Sequence, residues 1–378
     1  MNKDFFESFH IGTYYLQKYA RSEKHVKELK ECGVDFVIGM DNDREILDLF
    51  DKYGVKAVVS GIVPSWFGGK GENSGTMKDV NKKEDYIKGR ENFTDHSAIV
   101  GIDIGDEPSS LDFPYYGEMA RLTSELFENK FPYMNVYPSY GMLGDNSPEQ
   151  IKKELGTNTY EEYLKAYCEN IALPYLSYDH YVYSSDKERF ISDLAIASKL
   201  CEDYGKKLFI VLQVNSHKEG ILLSENELRY QAFSALAFGV SAISWACYTG
   251  GWWYNNVLDE NGEKTAQYEK LKKVNAEIKN IAKVYENYKQ LKTVIFETEE
   301  SFKLDADEIK TEGKLLLGIF ENRENEKAIL FNFVNKGTIK IKSEKALIYC
   351  KDSSETLNSV NGEIIINSEA YPYGFVCL

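Results

Sequence analysis

The stretch Ile99-Val100-Gly101-Ile102-Asp103-Ile104-Gly105-Asp106-Glu107-Pro108 opens as an apolar run and closes on carboxylates. A strand this apolar has no polar face to give to water, so it belongs in a sheet covered on both sides, the usual condition of a parallel sheet. Runs of the same kind recur on either side of it, at 11–15, 35–39, 57–63, 133–137, 175–179, 208–214 and 242–246. With 99–104 they make eight. Amphipathic patterns of helical period separate them, at 22–32, 44–52, 116–129, 160–170, 186–204, 225–238 and 265–288. Eight strand–helix units in this length fit a (β/α)8 TIM barrel. A doubly wound sheet would call for a Gly-rich phosphate loop after its first strand, and none is present. Beyond residue 291 short strands replace the alternation, at 294–297, 315–321, 328–334, 338–342, 346–350, 363–367 and 374–378, split by Asn, Gly and charged turns. The predicted fold is therefore α/β: a (β/α)8 TIM barrel over residues 1–290, followed by a small C-terminal all-β domain, sandwich-like, over 291–378.

The composition agrees with a folded, acidic protein. Of 378 residues, 43% are hydrophobic and 13% aromatic, which excludes intrinsic disorder. With 45 basic and 60 acidic side chains the formal charge is −15, the wrong sign for a nucleic-acid or anionic-membrane partner. Residues 231–257 carry no charge, but their Gln, Asn, Ser and Gly content reads as a buried helix running into a buried strand, not a membrane span. The N-terminus lacks the apolar segment of a signal peptide, and the six Cys include no CxxC pair. Buried free thiols and a cytoplasmic location are the expectation.

Barrels of this kind build their sites where the strands end. Those ends carry Tyr14, Trp66, Asp106, Glu107, Tyr137, Asp179, His180, Tyr181, Gln213 and Trp245, with His10 just before the first strand and Trp252 in the Gly-flanked loop after the eighth. Aromatic rings stack on the CH faces of sugars and carboxylates take their hydroxyls, so a carbohydrate is the expected ligand. Asp103, Asp106 and Glu107 crowd one strand end, and like charges that close push a pKa upward, as a general acid needs. Asp106 also suits a helix cap, and Glu107 a first helical turn. Asp179 closes the sixth strand, from where it can face Glu107 across the mouth. The expected roles are Glu107 as proton donor, Asp106 or Asp179 as second carboxylate, and His10, Tyr14, Trp66, Tyr137, His180, Tyr181, Gln213, Trp245 and Trp252 as substrate contacts. His10, Asp179, His180 and His217 are spread over separate strand ends without HxH or HExxH spacing, so no metal and no cofactor is expected. Ser65, Ser177 and Ser216 lack a GxSxG context.

These motifs resemble those of (β/α)8 glycoside hydrolases. In the β-galactosidase/cellulase clan an Asn-Glu pair follows strand 4 and a second Glu closes strand 7. The matching positions here are Asp106-Glu107 and Gln213, and Gln cannot be the nucleophile. Gly105-Asp106-Glu107 also resembles the Asp-Glu pair of substrate-assisted hexosaminidases, whose substrate's own N-acetyl group attacks while the Asp orients it. Tyr178-Asp179 and Trp245 match chitinase-like positions, although Gly105 stands where that motif has its last Asp. A third reading pairs Glu107 with Asp179, and the carboxyl separation then sets the outcome: about 5 Å for retention, about 6.5–9.5 Å for inversion. The resemblance implies hydrolysis of a small oligosaccharide or glycoside. Two rivals stay open: an inactive carbohydrate-binding barrel, motivated by Gln213, and a lyase or isomerase barrel using His180 or His217 as base. The β domain is a candidate for narrowing the cleft or for joining copies into a homo-oligomer.

Overall fold

The computed structural model describes residues 4–142, 147–216, 218–250, 253–304 and 307–378. Its first eight long strands are His10–Tyr14, Phe36–Met40, Lys56–Val59, Ile99–Asp106, Phe131–Asn135, Tyr175–His180, Lys207–Gln213 and Val240–Ala246. They form one sheet in which each strand neighbours the next and the first neighbours the eighth. Every register recorded between them is parallel, for example Gly12 opposite Phe36 and Ser177 opposite Phe209. The fifth and sixth strands meet through a parallel bridge from Val136 to Tyr178, which closes the ring. This is the (β/α)8 barrel that the alternation predicts.

The helices start and stop where their sequences say. Helix Tyr160–Asn170 opens on a reciprocal cap: Thr159 Oγ1 accepts from the Glu162 amide at 3.2 Å, and Glu162 Oε2 accepts from the Thr159 amide at 3.0 Å. Helix Arg44–Tyr53 ends on Gly54 with φ of +65°, a conformation that costs glycine little. The uncharged stretch forms helix Glu225–Ala237 and then the eighth strand. No helix among the described residues is long and apolar enough to cross a membrane. All six cysteines are free thiols.

The N-terminal end of the barrel is sealed by aromatic rings. Phe5 and Phe6, from the turn Asp4–Phe6, each lie 5.1 Å from the ring of Phe131, and Phe6 lies 5.7 Å from Tyr175 and 5.8 Å from Phe209. Phe131 and Tyr175 are the first residues of their strands. His10 stacks on Phe5 at 4.2 Å and so belongs to this floor.

By its internal contacts the chain divides into two compact units, residues 1–223 with 241–271, and residues 224–240 with 272–378. The second holds two antiparallel sheets. One has six strands, in the order Tyr288–Phe296, Leu315–Asn322, Lys327–Phe333, Tyr373–Cys377, Lys345–Cys350 and Ser353–Asn358. The other has four: Glu300–Leu304, Asp307–Glu312, Thr338–Ile341 and Ile364–Asn367. Helix Glu225–Ala237 lies on the larger sheet, with Phe233 stacked on Tyr373 at 3.9 Å and Asn332 donating to Ser234 Oγ at 3.0 Å. Buried Glu277 is held there by a two-point pair with Arg229, both distances 2.8 Å, and by the Tyr373 hydroxyl at 2.7 Å. Removing the cation leaves a buried carboxylate uncompensated, which costs roughly 3–5 kcal/mol. Arg229→Ala is therefore expected to shift the urea midpoint sharply downward, and an unchanged midpoint would refute this role for the pair.

Candidate active site

The C-terminal mouth of the barrel holds a cleft of about 550 Å3. Asp106 and Glu107 reach it from the fourth strand, Asn135 from the fifth and Asp179 from the sixth. Glu107 takes a left-handed backbone, φ of +48°, while its amide still donates to the Asn135 carbonyl at 2.8 Å. Side chains other than Gly, Asn and Asp rarely adopt that conformation, and such strain concentrates at functional sites. A two-residue strand, Trp66–Phe67, extends the mouth by pairing with Gly105 and Asp106. The chain then passes so close to Glu107 that a Cβ on Gly68 would lie 1.7 Å from its carbonyl oxygen, and only glycine fits.

The three carboxyls are arranged by a polar chain through the barrel interior. Tyr14 and Tyr133 share a hydroxyl hydrogen bond of 2.8 Å, and Tyr133 lies 3.4 Å from Ser177 Oγ. Ser177 donates to Asn135 Oδ1 at 2.9 Å, which turns the Asn135 amide nitrogen onto Asp179 Oδ1 at 2.8 Å. Glu107 and Tyr181 line the same cleft beside Asp179. Opposite, the loop carrying Tyr140 and Met142 is pinned twice: the Tyr140 hydroxyl accepts from the Tyr181 amide at 2.9 Å, and buried Glu154 accepts from the Met142 amide at 2.9 Å.

Burial dominates the proton affinities. It holds the Glu107 carboxyl well above the usual range, reinforced by the charges of Asp179 and Asp106. It raises Asp106 likewise, reinforced by Asp179 and Asp103. Asp179 is pushed up only to about 6, because the hydrogen bond from Asn135 stabilises its charged form against the same burial. Glu107 thus holds its proton more tightly than an ordinary carboxyl, while Asp179 titrates near 6. Carboxyls whose surroundings set their proton affinities differently are the arrangement found at acid–base sites. Among the described residues no group of three or more His, Cys, Asp or Glu is placed to hold a metal.

The whole barrel and its neighbouring domain have counterparts among solved structures. One glycoside hydrolase superposes with a TM-score of 0.56 at 10% identity, covering 98% of this chain and 92% of its own. A β-galactosidase from the Antarctic haloarchaeon Halorubrum lacusprofundi superposes at 0.51 with 11% identity, over 72% of this chain and 58% of that one. The chain has the fold of these glycoside hydrolases. At such identities the likeness is one of fold. No protein-family model and no curated protein sequence matches the chain.

Not every strand-end residue reaches the cleft. Glu107, Asp106, Asp179, Tyr14 and Tyr181 line it together. Trp66 lines a smaller adjoining pocket. Tyr137 is buried beside the site, its hydroxyl donating to the Gly69 carbonyl. His10 sits in the floor at the opposite end of the barrel and is no substrate contact. His180 is wholly buried, with Nδ1 2.9 Å from Asp193 and Nε2 2.8 Å from Ser185, so both nitrogens are spent on packing. Gln213 is likewise internal: it accepts from the Tyr183 amide at 3.0 Å and donates to Ser184 at 3.1 Å. Trp245 is fully buried and lies outside the lining of both cavities. Trp252 and His217 fall outside the described residues. The strand-end reading missed Asn135, Tyr15, Phe67, Tyr140 and Met142 as cleft residues. An Asn closing a fully buried strand, with no turn to explain it, is the signal that marks Asn135.

Proposed function

We propose that the protein is a retaining glycoside hydrolase acting on a small oligosaccharide or glycoside, with Glu107 as general acid/base and Asp179 as nucleophile. The observation that carries this reading is that Glu107 and Asp179 line one cleft at the mouth of the barrel, where the Asp179 charge raises the proton affinity of Glu107. On this reading the two carboxyls stand at the retaining separation of about 5–5.5 Å, without the gap of about 6.5–9.5 Å that inversion needs for its water. The ionised partner, Asp179, attacks the anomeric carbon. Glu107 gives its proton to the departing oxygen and then, as a carboxylate, takes one from the water that releases the sugar. Tyr14, Tyr15, Phe67 and Tyr181 offer ring faces for the sugar. Asn135 orients Asp179 and does not react.

The pH profile follows from the two environments. Activity falls below about pH 6, where Asp179 gains a proton and ceases to be a nucleophile. On the alkaline side it falls later than an ordinary Glu would allow, because burial holds the Glu107 proton beyond the usual carboxylate range. The test is hydrolysis of a panel of aryl glycosides, hexosides and N-acetylhexosaminides of both anomers, across pH 4–10, with the product anomer followed by NMR. A bell with its acid limb near 6 and a retained anomer is expected. An inverted product would remove Asp179 as nucleophile. Turnover restricted to N-acetylated substrates would shift the second role to Asp106 and the substrate. Sugar binding without turnover would leave a binding barrel.

A further inference from the structure

Beside the main cleft lies a second pocket of about 140 Å3 that shares Tyr14, Tyr15, Phe67 and Asp106 with it. It is too small for a sugar ring. A cavity of about 150 Å3 takes up benzene, so this one holds a pendant group of only a few heavy atoms. Its walls include the rings of Tyr14, Tyr15, Trp66 and Tyr133, and its polar lining includes Ser60, Ser65, Asp103 and Asp106. Asp103 accepts from Ser60 Oγ at 2.7 Å and from the Gly105 amide at 3.2 Å. Asp106 Oδ1 is buried without any hydrogen-bond partner. No Lys, Arg or His is among the described residues lining either cavity.

We infer that this pocket takes a small organic cation, the free ammonium group of an amino sugar bound across the Glu107–Asp179 pair. The inference rests on the glycosidase reading for the placement of the sugar, but not for the chemistry of the pocket. Asp103 and Asp106 are half-buried carboxyls with no cation facing them among the described lining residues, and charges withdrawn from water are normally paired. Aromatic faces attract cations, and a desolvated ammonium over such rings gains about 2 kcal/mol or more. Burial keeps both acids above the usual range in the empty pocket, and an ammonium supplies the positive charge that lets them ionise. An anionic substituent, such as a uronate carboxylate or a sulfate, would bring a further negative charge against two carboxyls with no cation among the described lining residues, and is disfavoured.

The test is calorimetric titration of the intact chain with D-glucosamine and D-galactosamine, against D-glucose, D-galactose and their N-acetylated amines, at pH 6.5 where the amines are charged. At least one amino sugar is expected to bind about tenfold tighter than its neutral counterparts. That preference should fall to near parity in Asp103→Asn. Should that variant not fold, Ser60→Ala, which frees one oxygen of Asp103, reads the same preference. Parity of amino and neutral sugars in the unmodified chain, tighter binding of the N-acetylated forms, or no binding of either amine would each overturn the inference. Hydrolysis of aryl hexosides alongside such a result would leave the glycosidase reading standing. A preference for amines without any hydrolysis would do the reverse.

Discussion

Replacing Glu107 with Gln is expected to lower kcat on aryl glycosides by about 10²–10⁴-fold, the range that a positioned general acid supplies. The substitution keeps the shape of the side chain and a donor towards Asp179, but has no proton to give. The loss should therefore depend on the leaving group. Dinitrophenyl glycosides depart almost unaided and should lose least, whereas alkyl glycosides should lose most. A uniform loss across leaving groups would mean that Glu107 serves binding and not proton transfer. Thermal unfolding should show the variant folded and no less stable, since Gln, like the protonated acid, buries no charge. A variant with unimpaired turnover would remove Glu107 from the mechanism.

Asp179→Asn should be at least as damaging, with a loss of about 10³-fold or more, because no other ionised carboxylate lies at the pair to form the covalent bond. Here the decisive readout is rescue. Azide added to the smaller variant Asp179→Ala can enter the vacated space, attack the anomeric carbon and yield a glycosyl azide of inverted configuration. Glu107 still protonates the leaving group. Rescue of Asp179→Ala with no rescue of Asp106→Ala would fix which carboxylate attacks, and the converse would exchange their roles. A stability effect accompanies the loss. The folded-state pKa of Asp179, about 6, lies above the ordinary value of about 4. Folding therefore binds its proton more tightly than unfolding does, and stability falls as pH rises between those values. Above pH 6 the ionised form costs up to about 3 kcal/mol. The Asn variant should melt higher than the unmodified chain at pH 8, with the difference vanishing near pH 4.

The barrel was legible because each of its strands is apolar and short, and because its helices announce themselves with caps such as Thr159 and Gly54. Strands Glu300–Leu304, Asp307–Glu312 and Ser353–Asn358 escaped for the opposite reason: polar and charged side chains crowd them, so no apolar run stands out. Helix Lys83–Asn92 supplies the unit after the third strand, where no amphipathic pattern stood out, and helix Pro148–Leu155 is an additional one in the loop after the fifth strand. The last helix was read through to 288, but Tyr288 already begins a strand. At the site, the rule that strand ends carry function pointed to carboxyls that line the cleft but not to the direction of each side chain. Successive residues of a strand point to opposite faces. Asp179 turns into the mouth, so its neighbour His180 must turn outward, to Asp193 on helix Lys187–Asp203. His10 failed differently, since it opens its strand and so belongs to the far end. Tyr140 and Met142 come from a loop whose path depends on Glu154, a contact twelve residues from Met142 that no local pattern encodes.

The ring seal of Phe5 and Phe6 has a kinetic consequence. With one end of the barrel stoppered, the cleft has a single doorway. On the glycosidase reading, a released sugar leaves by the same mouth through which the next molecule arrives. The free sugar should inhibit competitively, with a constant close to its own dissociation constant.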